Sequence, residues 1–223
     1  RILLHPNSTM TPPLAFWAFI GIFGTLFGIA EAVKRSTRIP ATVTRKFMHV
    51  SSAIVSMWLP TYLSPSWMLV LAGVFTVALT ASKLLKVLSS IHDVPRKTWG
   101  EVVFPLGIGL SAWLLYLSPW APESPQLATN AYRFGLLTMG VLDLVAELGG
   151  QIPSPKLWFG KSVAGSLSFF GVGIILCLAH GMPFSWSLVA VVAGLTASES
   201  LLGRGLDNLA LPSLGAWAYL AIS

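Results

Sequence analysis

Runs of apolar residues close to the length that crosses a bilayer recur along the whole of this 223-residue chain. A hydrocarbon core about 30 Å thick takes about 20 helical residues. Eight such segments can be read, at 14–30, 47–63, 66–82, 102–117, 131–150, 163–180, 185–202 and 209–222. One soluble core could not hide so many apolar stripes. Composition agrees: 54% of residues are hydrophobic and 10% charged, against roughly 25% charged in a soluble domain. Unpaired backbone groups cannot face lipid, so the segments are expected to be helices. The expected fold is therefore all-α. It is a polytopic integral membrane protein of about eight helical segments, seven or eight of them transmembrane, the last short enough to be re-entrant. Residues 1–13 read as a polar N-terminal tail and 14–223 as a single transmembrane helical domain.

Basic residues give the orientation. If the spans alternate, twelve of the fourteen Lys and Arg residues fall on one side, leaving Arg1 and Arg133 on the other. That asymmetry predicts a cytoplasmic or stromal face for the basic loops and an external N-terminus. A bacterial cytoplasmic membrane and an organellar membrane of chloroplast or ER type suit it equally. The formal charge of +6 thus reads as topology and membrane-lipid contact, not nucleic-acid binding. Cys177 is the single cysteine and lies in an apolar run, so neither an internal disulfide nor a thiolate metal cluster is expected. The loop at 83–101 is expected to hold a short amphipathic helix on the membrane surface. His5, His92 and His180 lack ligand spacing and read as ordinary surface residues.

Acidic residues share the basic face. Only Glu123 lies elsewhere. Carboxylates and cations together, among small residues, suit a metal-bound polyphosphate: carboxylates hold magnesium while cations hold phosphate oxygens. Asp143 and Glu147 are one helical turn apart on one face. Carboxylates are rare in hydrocarbon without a task, although a structural pair bonded to neighbouring Arg or Ser is the alternative. Gly149 and Gly150 then break the helix, and Lys156, Lys161, Ser162, Gly165 and Ser166 surround the start of the next, a ready anion site. A plain loop obeying the charge rule is the competing reading, and the spacing is no P-loop.

Arg45, Lys46 and His49 open the second span; they suit a phosphate clamp with His49 as donor or base, or a lipid-headgroup contact. Glu199 suits a metal or an ion pair with Arg204. Asp207 and Asn208 suit a helix cap.

Four motifs in this order resemble the membrane kinases of isoprenoid and lipid alcohols: phytol and farnesol kinase, dolichol kinase and CTP-dependent diacylglycerol kinase. They are RKFMHV at 45–50, LDLVAELGG at 142–150, FGKSVAGSLSFF at 159–170 and ESLLGRGLDNLALP at 199–212. Size and closing segment look most like the phytol kinase branch. Leu142, Glu147 and Gln151 depart from the family pattern.

The resemblance implies transfer of a γ-phosphoryl group from CTP or ATP to a lipid alcohol such as phytol, with Mg2+ (or Mn2+). Asp143 would hold the metal, assisted by Glu147 or Glu199. Lys156, Lys161, Ser162, Gly165, Ser166, Asp207 and Asn208 would bind nucleotide or phosphate, with Arg45, Lys46 and His49 closing the site. A homo-oligomer is left open. Two rival readings are a transporter, which would place charges nearer the midplane, and a lipid-phosphate cytidylyltransferase, which would carry a denser Asp-rich signature.

Overall fold

The computed structural model describes residues 11–92 and 99–223. The tail at 1–10 with Arg1 and His5, and Asp93, Arg96 and Lys97 of the 83–101 loop, lie outside the described residues. The described chain is all-helical. Its elements are α1 (Pro12–Ser36), α2 (Ala41–Ser56), α3 (Leu59–Tyr62), α4 (Pro65–Leu84), α5 (Ser89–His92), α6 (Gly100–Tyr116), α7 (Pro125–Leu137), α8 (Asp143–Gly149), α9 (Val163–Ala179), α10 (Trp186–Leu201) and α11 (Asp207–Ile222). A π-helical turn at Thr138–Leu142 joins α7 to α8, and a 3-10 turn at Trp158–Gly160 precedes α9.

Local chemistry explains the ends. Prolines stand in the first two positions of α1, α3, α4 and α7, where a missing N–H costs nothing. Ser124, Ser162 and Ser185 cap α7, α9 and α10 by accepting from Leu127, Gly165 and Leu188. Each apolar segment coincides with a helix, but two begin earlier than expected. α2 starts at Ala41 and α7 at Pro125, because their first turns are polar and hydropathy does not register them. The 47–63 segment is split: Pro60 cannot donate to the Ser56 carbonyl, so α2 stops and α3 begins.

α11 packs against α6, α7 and α10. Its backbone approaches closely where there is no side chain in the way: a Cβ on Gly107 would strike the Asn208 carbonyl, and one on Gly135 that of Pro212. The main core runs from Phe16 and Phe23 of α1 through Leu136 and Met139 to Leu211 of α11. Outward positions such as Val77, Leu167 and Ile175 are apolar and exposed. By length and composition, α1 and α4 are able to cross a membrane; α6, α9 and α10 are apolar but shorter.

The surface helix expected in the 83–101 loop is the single turn α5, and it is docked. The Ser90 N–H donates to Glu31 (2.9 Å), the Thr44 hydroxyl donates to the Ser90 carbonyl (2.6 Å), and Ile91 is buried. Satisfying these polar groups against α1 and α2 outweighs lying on the surface.

Candidate functional site

A cavity of about 460 Å³ opens where α2, α8, α9 and the start of α11 meet. It gathers every residue given a catalytic, metal or phosphate role above except Lys156, which is exposed in the preceding loop and forms an isolated bridge with Ser162.

Lys161 is its centre. Its ammonium donates to Glu199 and to Asp207 (2.9 Å) and stands 3.9 Å from Asp143. Burial disfavours the charge of Lys161, but Asp207, Asp143 and Glu199 more than offset that and push its pKa above the ordinary lysine value. The Glu199 side chain is 2% exposed, so its charge depends on this partner. Of the two readings of Glu199, the Arg204 pairing does not form: Glu199 pairs with Lys161, and Arg204 sits exposed in the turn after α10 at φ 58°.

Asp143 and Glu147 part company. Glu147 lies one turn further on, 58% exposed, and pairs with Lys46 at 2.6 Å, whereas Asp143 points toward Lys161 and His49. His49 Nε2 is 4.0 Å from Asp143 and 3.2 Å from the Met139 carbonyl. A carbonyl only accepts, so Nε2 carries a proton and the neutral ring offers Nδ1 as its lone pair.

The start of α9 is already satisfied. Val163 N–H bonds the Pro155 carbonyl (3.0 Å), Ala164 N–H the Ser154 hydroxyl (3.1 Å) and Gly165 N–H the Ser162 hydroxyl (3.2 Å). Side chains such as Lys161 and Ser166, rather than free N–H groups, are what this end presents to an anion. Gly165 answers to packing: a Cβ there would come 2.5 Å from the Ala146 carbonyl, where α8 crosses α9. Asp207 occupies the first turn of α11, and the Asn208 amide donates to the Gly100 carbonyl (3.0 Å), tying α11 to α6.

Two features escaped the sequence. The π turn ends immediately before Asp143; such turns are frequent at functional sites and leave no simple residue signature. The second is Glu101, 8% exposed, held by Lys83 (2.5 Å) and His92 (3.3 Å), with Arg45 at 3.9 Å. Burial alone would raise its pKa, but hydrogen bonds from His92 and Lys83 lower it to about 2. His92 is thus no ordinary surface residue, since it bridges Ser82 (2.8 Å) and Glu101. His180 is exposed, bonding the Leu176 carbonyl. A polar residue at each of 82, 92 and 101 was the available signal.

Among the described residues, no three His, Cys, Asp or Glu side chains stand together as a metal cage. Magnesium does not need one, because it is usually held by one or two carboxylates plus substrate phosphates. Asp143 and Glu199, both beside Lys161, are the carboxylates that could hold it.

No family model and no solved structure matches the chain. It is 30% identical to phytol kinase of Synechocystis sp. over an alignment of 240 positions that covers 96% of both chains. The four motifs and the cavity they line fall within that one alignment, and the chain belongs to the phytol kinase family, enzymes that phosphorylate an alcohol.

Proposed function

We infer that this chain transfers the γ-phosphoryl group of CTP or ATP to a membrane prenyl alcohol such as phytol. The reaction takes place at the cytoplasmic or stromal face of a bacterial or organellar membrane. Residues 14–223 form one transmembrane domain behind the 1–13 tail, and seven or eight helices span, with the N-terminus outside. The apolar outward surface and the charge asymmetry support that placement. The observation that carries the reading is Lys161 among Asp143, Glu199 and Asp207 in the lining of an open cavity. Lys161, Arg45 and Lys46 offer cations for phosphate oxygens and the carboxylates offer oxygens for a metal ion, all in the same cavity.

Phosphoryl transfer depends mainly on positioning and charge neutralisation. Magnesium (or manganese), when bound, neutralises phosphate charge, and Asp143 is the carboxylate assigned to it, with Glu199 or Glu147 assisting. Lys161, Arg45 and Lys46 hold phosphate oxygens, and Ser162, Ser166 and Asn208 line the same cavity. The alcohol oxygen bonds to the γ-phosphorus as the bridging oxygen leaves with the nucleoside diphosphate. His49 takes the hydroxyl proton on Nδ1, since Nε2 is committed to Met139.

The test is direct. Purified protein in lipid nanodiscs is given γ-labelled CTP or ATP with magnesium and a panel of phytol, geranylgeraniol, farnesol, dolichol and diacylglycerol. A labelled prenyl phosphate is expected; its absence under all combinations would sink the reading.

A further inference from the structure

The walls of the polar cavity differ in how tightly they close. Where α8 crosses α9, a Cβ on Gly165 would come 2.5 Å from the Ala146 carbonyl; where α6 meets α11, one on Gly100 would come 2.8 Å from the Asn208 amide. Those sides are sealed. α8 packs on α9 and the π turn, and α2 on α1, α5, α7 and the π turn. Between α2 and α8 themselves lies the cavity, which both helices line.

Two contacts bound this gap. At one end Lys46 pairs with Glu147. At the other, α2 comes so close to the π turn that a Cβ on Gly140 would lie 2.7 Å from that of Ala53. Numbering rises along α2 as it falls along α8 and the π turn, so the two run antiparallel. The stretch of α2 from Lys46 to Ala53 is about 10 Å long at 1.5 Å per residue.

Val50 and Leu144 stand within this window. Both line the cavity and both are half-buried. Each directly follows a group assigned to the chemistry, His49 and Asp143. The apolar surface continues outward: Phe47 and Ile54, one turn either side of Val50, are each 49% exposed, and Leu148, one turn beyond Leu144, is 52% exposed. The window thus has apolar sides and a charged bridge at the end nearer the loops.

We propose that the alcohol substrate enters sideways from the lipid through this window, its hydroxyl passing between Val50 and Leu144 to reach His49 and Asp143. This rests on the kinase and membrane readings above. The hydrocarbon chain stays outside, against Phe47, Ile54 and Leu148, so the protein needs no apolar pocket for it. The polar cavity is left to the nucleotide, which arrives from the water on the Lys46–Glu147 side.

Two experiments decide it. In the first, Val50→Trp or Leu144→Trp blocks the window. The kcat/KM for phytol should fall about tenfold or more, while prenol, short enough to arrive through water, keeps its value and the nucleotide its KM within about twofold. Ile175→Trp, at an exposed apolar position of α9, should change neither alcohol. An equal fall for both alcohols, or none for phytol, overturns the proposal.

The second uses the unaltered protein in nanodiscs with a diazirine-bearing prenyl alcohol, and peptides are mapped after irradiation with and without excess phytol. Label that phytol displaces is expected on residues 47–54 and 141–148. Displaceable label elsewhere, or no displaceable label, overturns it. If no alcohol is phosphorylated yet displaceable label lies on these two segments, the kinase reading fails and the entry window stands.

Discussion

Two charged clusters stand at the same end of the helices and are near mirror images. Around Lys161 one ammonium faces three carboxylates; around Glu101 one carboxylate faces Lys83, His92 and Arg45. The first lines an open cavity, while Glu101 is 8% exposed and outside it. A closed cluster whose central charge is amply matched ties α2, α4, α5 and α6 together. An open cluster that sets several carboxylates beside several cations in one cavity offers both halves of a metal–phosphate site. Arg45 belongs to both, reaching toward Glu101 while lining the cavity. On the proposed reading, the contrast teaches that buried charge here serves architecture where it is closed and chemistry where it is open.

The sharpest way to break the contrast is to disable each centre in turn. Lys161→Met and Asp143→Asn should each lower kcat by about 10³-fold or more, on the scale of removing a charge-stabilising group from a transferring phosphoryl. Steady-state transfer to phytol reads this. Next comes the split between the two assisting carboxylates. Glu199→Gln should cost about 10²-fold, whereas Glu147→Gln, exposed and paired with Lys46, should stay within about fivefold because exposed pairs contribute little.

Glu101→Gln should do the reverse of Lys161→Met. Unfolding in detergent should show a loss of about 1.5–3 kcal/mol, the range for hydrogen bonds to a charged group, with kcat changed less than the stability. The smallest effect is its pH dependence. Glu101 has a pKa depressed from 4.5 to about 2, so its contribution is fully present above pH 4.5 and is lost as pH falls toward 2. The difference in thermal midpoint between wild type and Glu101→Gln should therefore shrink over that window.

Much of this was legible in the residues. Apolar length marked every long helix, and the charge rule put the site residues on one face, so all but Lys156 line one cavity. What stayed hidden was partner choice. Asp143 and Glu147 looked like a pair because they share a helix face, but about 6 Å of rise separates an inward position from an exposed one. Lys161 meets Glu199 and Asp207 across 38 and 46 residues, a contact that only packing determines. The Glu101 cluster left only its polar residues as a signal, and its pairing stayed hidden for the same reason: Lys83, His92 and Arg45 come from three different helices or their ends.

The central claim is that the open cluster performs magnesium-dependent phosphoryl transfer to an alcohol. Wild type and Asp143→Asn, reconstituted side by side, are given γ-labelled CTP or ATP, magnesium and phytol, and labelled phytyl phosphate is counted. The account predicts product from wild type, none after magnesium is chelated, and about a thousandfold less from Asp143→Asn. Equal product from the two proteins would contradict it.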